Sequence, residues 1–212
     1  MNMSGLKALF LCLFCLISSF CFSQQTEDFK LVKNYYNNHR SMLGTEFKKK
    51  FNAEPNTFNK SAIKNDFLFF MKKMDSIENV ALIGALLKVK NIEDLAKIQK
   101  KNIQTQDSSE LISTTDKTAA YPGGVDALRK EVVNLFYSEG VYSNIKTIKT
   151  NVAFIVEKDG SISNVQAQGD NFTFNRQAEI ALYSISSKFS PATINGDAVR
   201  FRFKLPLTLN IE

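Results

Sequence analysis

One histidine, three cysteines and a scatter of carboxylates are the residues of this 212-residue chain whose types could do chemistry. Nucleophilic catalysis through a histidine base needs a nucleophile and an orienting acid around it. His39 has no such Ser or Asp motif nearby and falls on the apolar face of an expected helix, so it reads as a partly buried structural histidine. Glu27 with Asp28, and Glu93 with Asp94, are neighbours at expected helix starts. Carboxylates there offset the helix dipole and do not suggest a paired acid and base. Asp159, Ser161, Ser163 and Asp170 approach the spacing of a calcium loop, but Asn164 stands where the sharp turn requires glycine, and a hairpin already explains Asp159-Gly160. No phosphate-binding loop or dinucleotide glycine fingerprint occurs. The chemistry-bearing residues therefore point away from an enzyme, and no cofactor or metal is expected.

The cysteines belong to a different story. Cys12, Cys15 and Cys21 all lie in residues 1–23, where Lys7 precedes a run from Ala8 to Phe22 that is apolar apart from two serines. Cys21 and Ser23 put small residues at the −3 and −1 positions before Gln24, the pattern of a cleavable secretory signal. As a helix those fifteen residues span about 23 Å, short of the roughly 30 Å of a bilayer core. Phe20 before Cys21 departs from the small residue that a lipoprotein signal requires. Once the signal is removed no thiol remains, which excludes disulfides, cysteine-ligated zinc and thiol catalysis in the mature chain. A periplasmic or secreted location is expected, with membrane attachment only if the segment is retained.

Removal takes away one charge, Lys7, leaving 26 basic against 21 acidic side chains. The lysines are spread along expected helix faces without aromatic interleaving, so a solvated surface is expected and not a nucleic-acid interface.

The elements that must position any site fall into two groups. In residues 24–103, Phe29, Val32, Tyr36, His39 and Leu43 recur at helical steps, and Pro55 marks a break. Ile63, Phe67, Phe70, Met71, Met74 and Ile77 form a second apolar stripe, read as a core face. Residues 80–89 are apolar almost throughout and do not distinguish helix from strand, while Asn91 and Asp94 resemble a new helix start. Three or four packed helices are expected there. Residues 104–120, rich in Gln, Ser, Thr and Asp, read as a polar linker.

Residues 121–212 carry a fuller pattern. Tyr121-Pro122-Gly123-Gly124 is a turn before a helix bearing Val125, Leu128, Val132, Leu135 and Phe136. Val152, Phe154 and Val156 alternate up to Asp159-Gly160, a tight-hairpin signal. Ile162, Val165 and Ala167 return one residue out of phase, which predicts a bulge near Ser163 and Asn164. A second helix is expected from about Asn175 through Phe189, ended by Pro191, with a turn at Asn195-Gly196. From Val199 to Ile211 apolar and polar residues alternate strictly. Pro206 cannot donate to a sheet ladder, so this is an edge strand. Arg200, Arg202 and Lys204 share the parity of Pro206 and should direct their backbone groups outward, with Val199, Phe201, Phe203 and Leu205 pairing inward. Such an edge either admits an incoming peptide strand or is charged to prevent aggregation.

Taken in order, Tyr121-Pro122-Gly123-Gly124, Lys158-Asp159-Gly160-Ser161-Ile162 with Val165, Phe189-Ser190-Pro191-Ala192, then Gly196, Val199 and Leu205-Pro206 resemble the C-terminal domain of the TonB family, in its Bacteroidetes-type form, over residues 121–209. The resemblance implies an α+β fold, with two helices on a three-stranded antiparallel sheet, here preceded by a small all-helical N-terminal unit. It also implies a periplasmic protein that binds an extended segment of an outer-membrane transporter as an added strand, serving energy-dependent transport. The binding edge would comprise Arg200, Phe201, Arg202, Phe203 and Lys204. Two alternatives stand beside it. One is an energy transducer that keeps its N-terminal apolar segment as an anchor. The other is a scaffold whose N-terminal helices bind the partner. Partner identity and oligomeric state are left open by the sequence.

Overall fold

The computed structural model describes residues 24–102 and 116–211. The expected signal and most of the polar linker lie outside the described residues. Two long helices come first among the described residues, α1 (Gln24–Ala53) and α2 (Thr57–Asn102), where three or four were expected. Pro55 does sit in the break between them, and Asn56 starts α2 by accepting the Phe58 N–H on its side-chain oxygen at 2.8 Å. No proline follows until Pro122, and Gly84 alone costs a helix only about 1 kcal/mol relative to alanine, too little to divide it. Glu93 and Asp94 are therefore mid-helix residues, and residues 80–89 are helical.

The two helices run antiparallel. Asp28 meets Lys88 at 2.8 Å, Arg40 bonds Asp75 at 2.6 Å and also reaches Glu78, and Phe47 stacks on Phe67 with ring centroids 4.2 Å apart. Of the expected core stripe, Met74 is buried on this seam, whereas Phe70 and Ile77 face solvent. His39 is exposed, not partly buried; its Nδ1 lies 2.8 Å from the Tyr35 carbonyl oxygen.

The second half supplies α3 (Gly124–Leu135), a 3₁₀ turn (Ser138–Gly140), β1 (Thr147–Val156), β2 (Ile162–Gln168), α4 (Phe172–Tyr183), β3 (Ala192–Ile194), β4 (Asp197–Val199) and β5 (Phe201–Asn210). The fold is α+β: the three-stranded antiparallel sheet has the order β2-β1-β5, and β3 with β4 forms a separate two-stranded hairpin. Ile148, Val152, Phe154 and Val156 of β1 and Leu205 of β5 are buried on one face. Leu128 and Val132 of α3, with Ala178, Ile180 and Leu182 of α4, belong to the same core.

Several local devices match the residues that announced them. The β1–β2 register shifts between Ala153 and Ile155, where Asn164 takes a φ of 52°, which is the expected bulge. Asn195 and Gly196, with φ of 51° and 86°, turn β3 into β4. The turn at Asp159-Gly160 is longer than a two-residue hairpin. The Glu157 N–H bonds the Ser161 carbonyl at 2.8 Å, leaving three loop residues, of which only Gly160 has a positive φ, 79°. The second helix is displaced from its expected span. Asn171 caps it by accepting the Phe174 N–H at 2.8 Å, and it ends at Tyr183, well before Pro191, so Ile185 and Phe189 are core residues of the following loop. Ser184 ends the helix with a hydroxyl turned back to the Ile180 carbonyl at 2.7 Å.

One core joins the two halves. Phe29 stacks on Tyr183 at 5.3 Å, and Leu82, Leu86 and Val89 of α2 cluster with the buried residues of β2 and α4. The tail of the expected linker is docked as well: Lys117 bridges to Thr193, Ala120 to Ser190, and Ala119 is buried.

Candidate functional site

Sheets offer binding sites where backbone groups are left unpaired, so the two edges of this sheet decide what it can do. The Ile211 N–H bonds the Lys146 carbonyl at 2.7 Å, which fixes the phase of the β1–β5 ladder. Its register then runs without a shift from Thr147↔Asn210 to Val156↔Phe201. Because bonded and non-bonded pairs alternate in an antiparallel ladder, Phe201, Phe203, Leu205, Leu207 and Leu209 bond inward to β1. Arg202, Lys204, Pro206 and Thr208 turn their backbone groups to the outside. Among the described residues no strand pairs with that side.

The expected edge is thus largely where the sequence put it, with two corrections. Val199 belongs to β4 and pairs with Ala192, not with β1. Arg200 lies between β4 and β5, and its guanidinium grips Glu157 through two 2.9 Å hydrogen bonds. It is a clamp between the strand junction and the β1–β2 turn, not part of the open edge. The side chains of Arg202, Lys204, Pro206 and Thr208 are exposed on the face away from the core, while Phe201, Phe203 and Leu207 are half-buried on the core face.

The opposite edge is closed. Val165 N–H donates to the Tyr183 hydroxyl at 3.1 Å, Ala167 N–H to Glu179 at 2.9 Å, and Asn164 N–H to Glu93 at 2.7 Å. Lys90 donates to the Val165 carbonyl at 2.6 Å and to Glu179 at 3.0 Å. The outward groups of β2 around its bulge are thereby occupied by side chains of α2 and α4. Tyr183 in turn donates to Glu93 at 2.7 Å. Burial, then the Glu93 charge and hydrogen bond, push the Tyr183 hydroxyl far above the usual phenol range, so it stays protonated and holds that carboxylate. Glu93 and Glu179 are buried, satisfied structural acids.

The other residues considered for chemistry are dispersed. Asp159 accepts the Ser161 N–H at 3.1 Å and pairs with Lys188 at 2.8 Å, the work of a turn residue. Glu27 lies in the first turn of α1 as expected, but its neighbour Asp28 is taken by Lys88. Among the described residues no group of three His, Cys, Asp or Glu side chains is placed to hold a metal ion. No described helix is long and apolar enough to cross a membrane.

Sequence reasoning found the open edge through the parity of Pro206. It missed the closure of β2, since Lys90, Glu93, Glu179 and Tyr183 converge from elements far apart in the chain. The one local signal was Glu179 itself, a charge inside the apolar run of α4. No protein-family model and no curated protein matches this chain.

Proposed function

We propose that the chain is a peptide-binding module that captures an extended segment of a partner as a fourth strand along the outer edge of β5. The observation that carries this reading is the asymmetry of the sheet: side chains seal β2, while the ten-residue, unbulged β5 has no partner on its outer side among the described residues. A strand added there gains main-chain hydrogen bonds. Its core-facing side chains would also cover the half-buried Phe203 and Leu207. Charge on the edge serves the same reading, since Arg202 and Lys204 keep a second copy of this strand away and favour an acidic segment.

The resemblance to the TonB C-terminal domain supplies the partner class. The ligand is a short periplasmic segment of an outer-membrane transporter, and the chain acts in the periplasm in binding, not catalysis. Calorimetry with such a peptide tests this. Arg202→Pro removes an outward donor and leaves the inward ladder intact, so affinity should fall roughly tenfold or more, since one hydrogen bond contributes about 1 kcal/mol and its neighbour is distorted too. Arg202→Ala keeps the backbone and should cost less, and added salt should reproduce its effect if the peptide is acidic. With circular dichroism showing both variants folded, equal affinity of wild type and Arg202→Pro would place the binding site elsewhere.

A further inference from the structure

The buried seam of α2 carries Met74, Leu82, Leu86 and Val89, yet its opposite face is apolar too. Phe69, Val80, Leu87 and Ile98 are 58–66% exposed. Their spacings, 11, 7 and 11 residues, return to one side of a helix at about 100° per residue and read the same from either end. A two-fold contact between antiparallel helices requires that symmetry, because each residue meets the one equally far beyond the axis.

We infer that two copies of this chain pair through α2, antiparallel, about an axis passing between Ile83 and Gly84. Val80 then faces Leu87 of the second copy, and Phe69 faces Ile98. The polar positions within the stripe obey the same rule. Lys73 lies four residues after Phe69 and Asp94 four before Ile98, so the axis sets each Lys73 against an Asp94. Ser76 and Asn91 likewise fall opposite each other. At the centre Ile83 meets Gly84, where an added Cβ would find nothing within 4 Å inside its own chain. Glycine lets the second helix approach where the two stripes cross. A parallel pairing would set Lys73 against Lys73 and Asp94 against Asp94. A bilayer surface is disfavoured by the same acid: Asp94 is 66% exposed at its side chain, is engaged among the described residues only by Lys97 of its own helix at 3.0 Å, and lies within the apolar stripe.

Sedimentation equilibrium of the full chain across the micromolar range tests the pairing. Wild type should be dimeric. Lys73→Asp turns both Lys–Asp contacts into like-charge pairs and should weaken association roughly tenfold or more. Adding Asp94→Lys should restore the dimer, a rescue that general destabilisation cannot produce. Val80→Asp should give a folded monomer, with helix content checked by circular dichroism. A monomeric wild type, a double charge swap no tighter than Lys73→Asp alone, or flotation of the chain with anionic phospholipid vesicles in place of self-association would overturn the inference.

Discussion

Gly160 ties the β1–β2 turn to the loop after α4. Its φ of 79° is a left-handed conformation, a Cβ there would stand 2.0 Å from the Phe189 carbonyl oxygen, and its own carbonyl accepts the Phe189 N–H at 2.9 Å. Alanine would meet both strain and a clash with backbone, so Gly160→Ala should lower unfolding free energy by more than about 2 kcal/mol in urea titrations. Two carboxylates nearby set an acid limit. Burial would raise Glu131, but hydrogen bonds from Tyr121 and from the Ser186 N–H and hydroxyl outweigh it and hold it below its ordinary value. Asp159 is likewise lowered, with burial opposed by Lys188 and Ser161. A folded pKa below the unfolded one adds stability that is fully present above the ordinary carboxylate range and lost as pH falls through the folded value. Stability should therefore be flat from neutral pH to about 5 and decline below about 4. The Glu131→Gln/Asp159→Asn variant should start lower at neutral pH and decline less steeply on acidification. An unchanged slope would show that these two groups do not set the limit.

At the scale of the element, β5 separates binding from folding by parity alone. Thr208→Pro removes a donor that faces outward, and thermal unfolding should be close to wild type while peptide affinity falls. Leu207→Pro removes an inward donor paired with Thr150, and should destabilise the fold by about 1–3 kcal/mol through the orphaned group on β1. If both substitutions were equally harmful to folding, the outer edge would be covered in solution and the open-edge reading would fail.

At the scale of the molecule, the helical half and the sheet half share one core. Phe29, Leu86 and Val89 are almost wholly buried among residues of both halves, so the N-terminal helices should not melt separately. Leu86→Ala should cost about 2–5 kcal/mol and shift the far-ultraviolet helix signal and the near-ultraviolet tyrosine signal, to which Tyr183 contributes, by the same amount. Two separated transitions would instead indicate two independently stable units.

Local chemistry explains how much of this was legible beforehand. The bulge at Asn164, the turn at Asn195-Gly196, the break at Pro55 and the parity of Pro206 depend on a few adjacent residues, and backbone sterics and donor loss act at that range. The amino-acid sequence by itself therefore determined the order of helix, β1–β2 hairpin, helix and last strand in residues 121–212 and the edge character of β5, but not the separate β3–β4 hairpin. It did not decide that α2 runs unbroken through Gly84, because a weak local break yields to packing along the whole helix. Nor did it show that Arg200 clamps Glu157, that Val199 leaves the sheet for β4, that His39 faces solvent or that β2 is sealed. Those outcomes depend on where α1, α2 and α4 come to rest. Burial and hydrogen-bond satisfaction between residues tens of positions apart are fixed only when the tertiary structure brings them together.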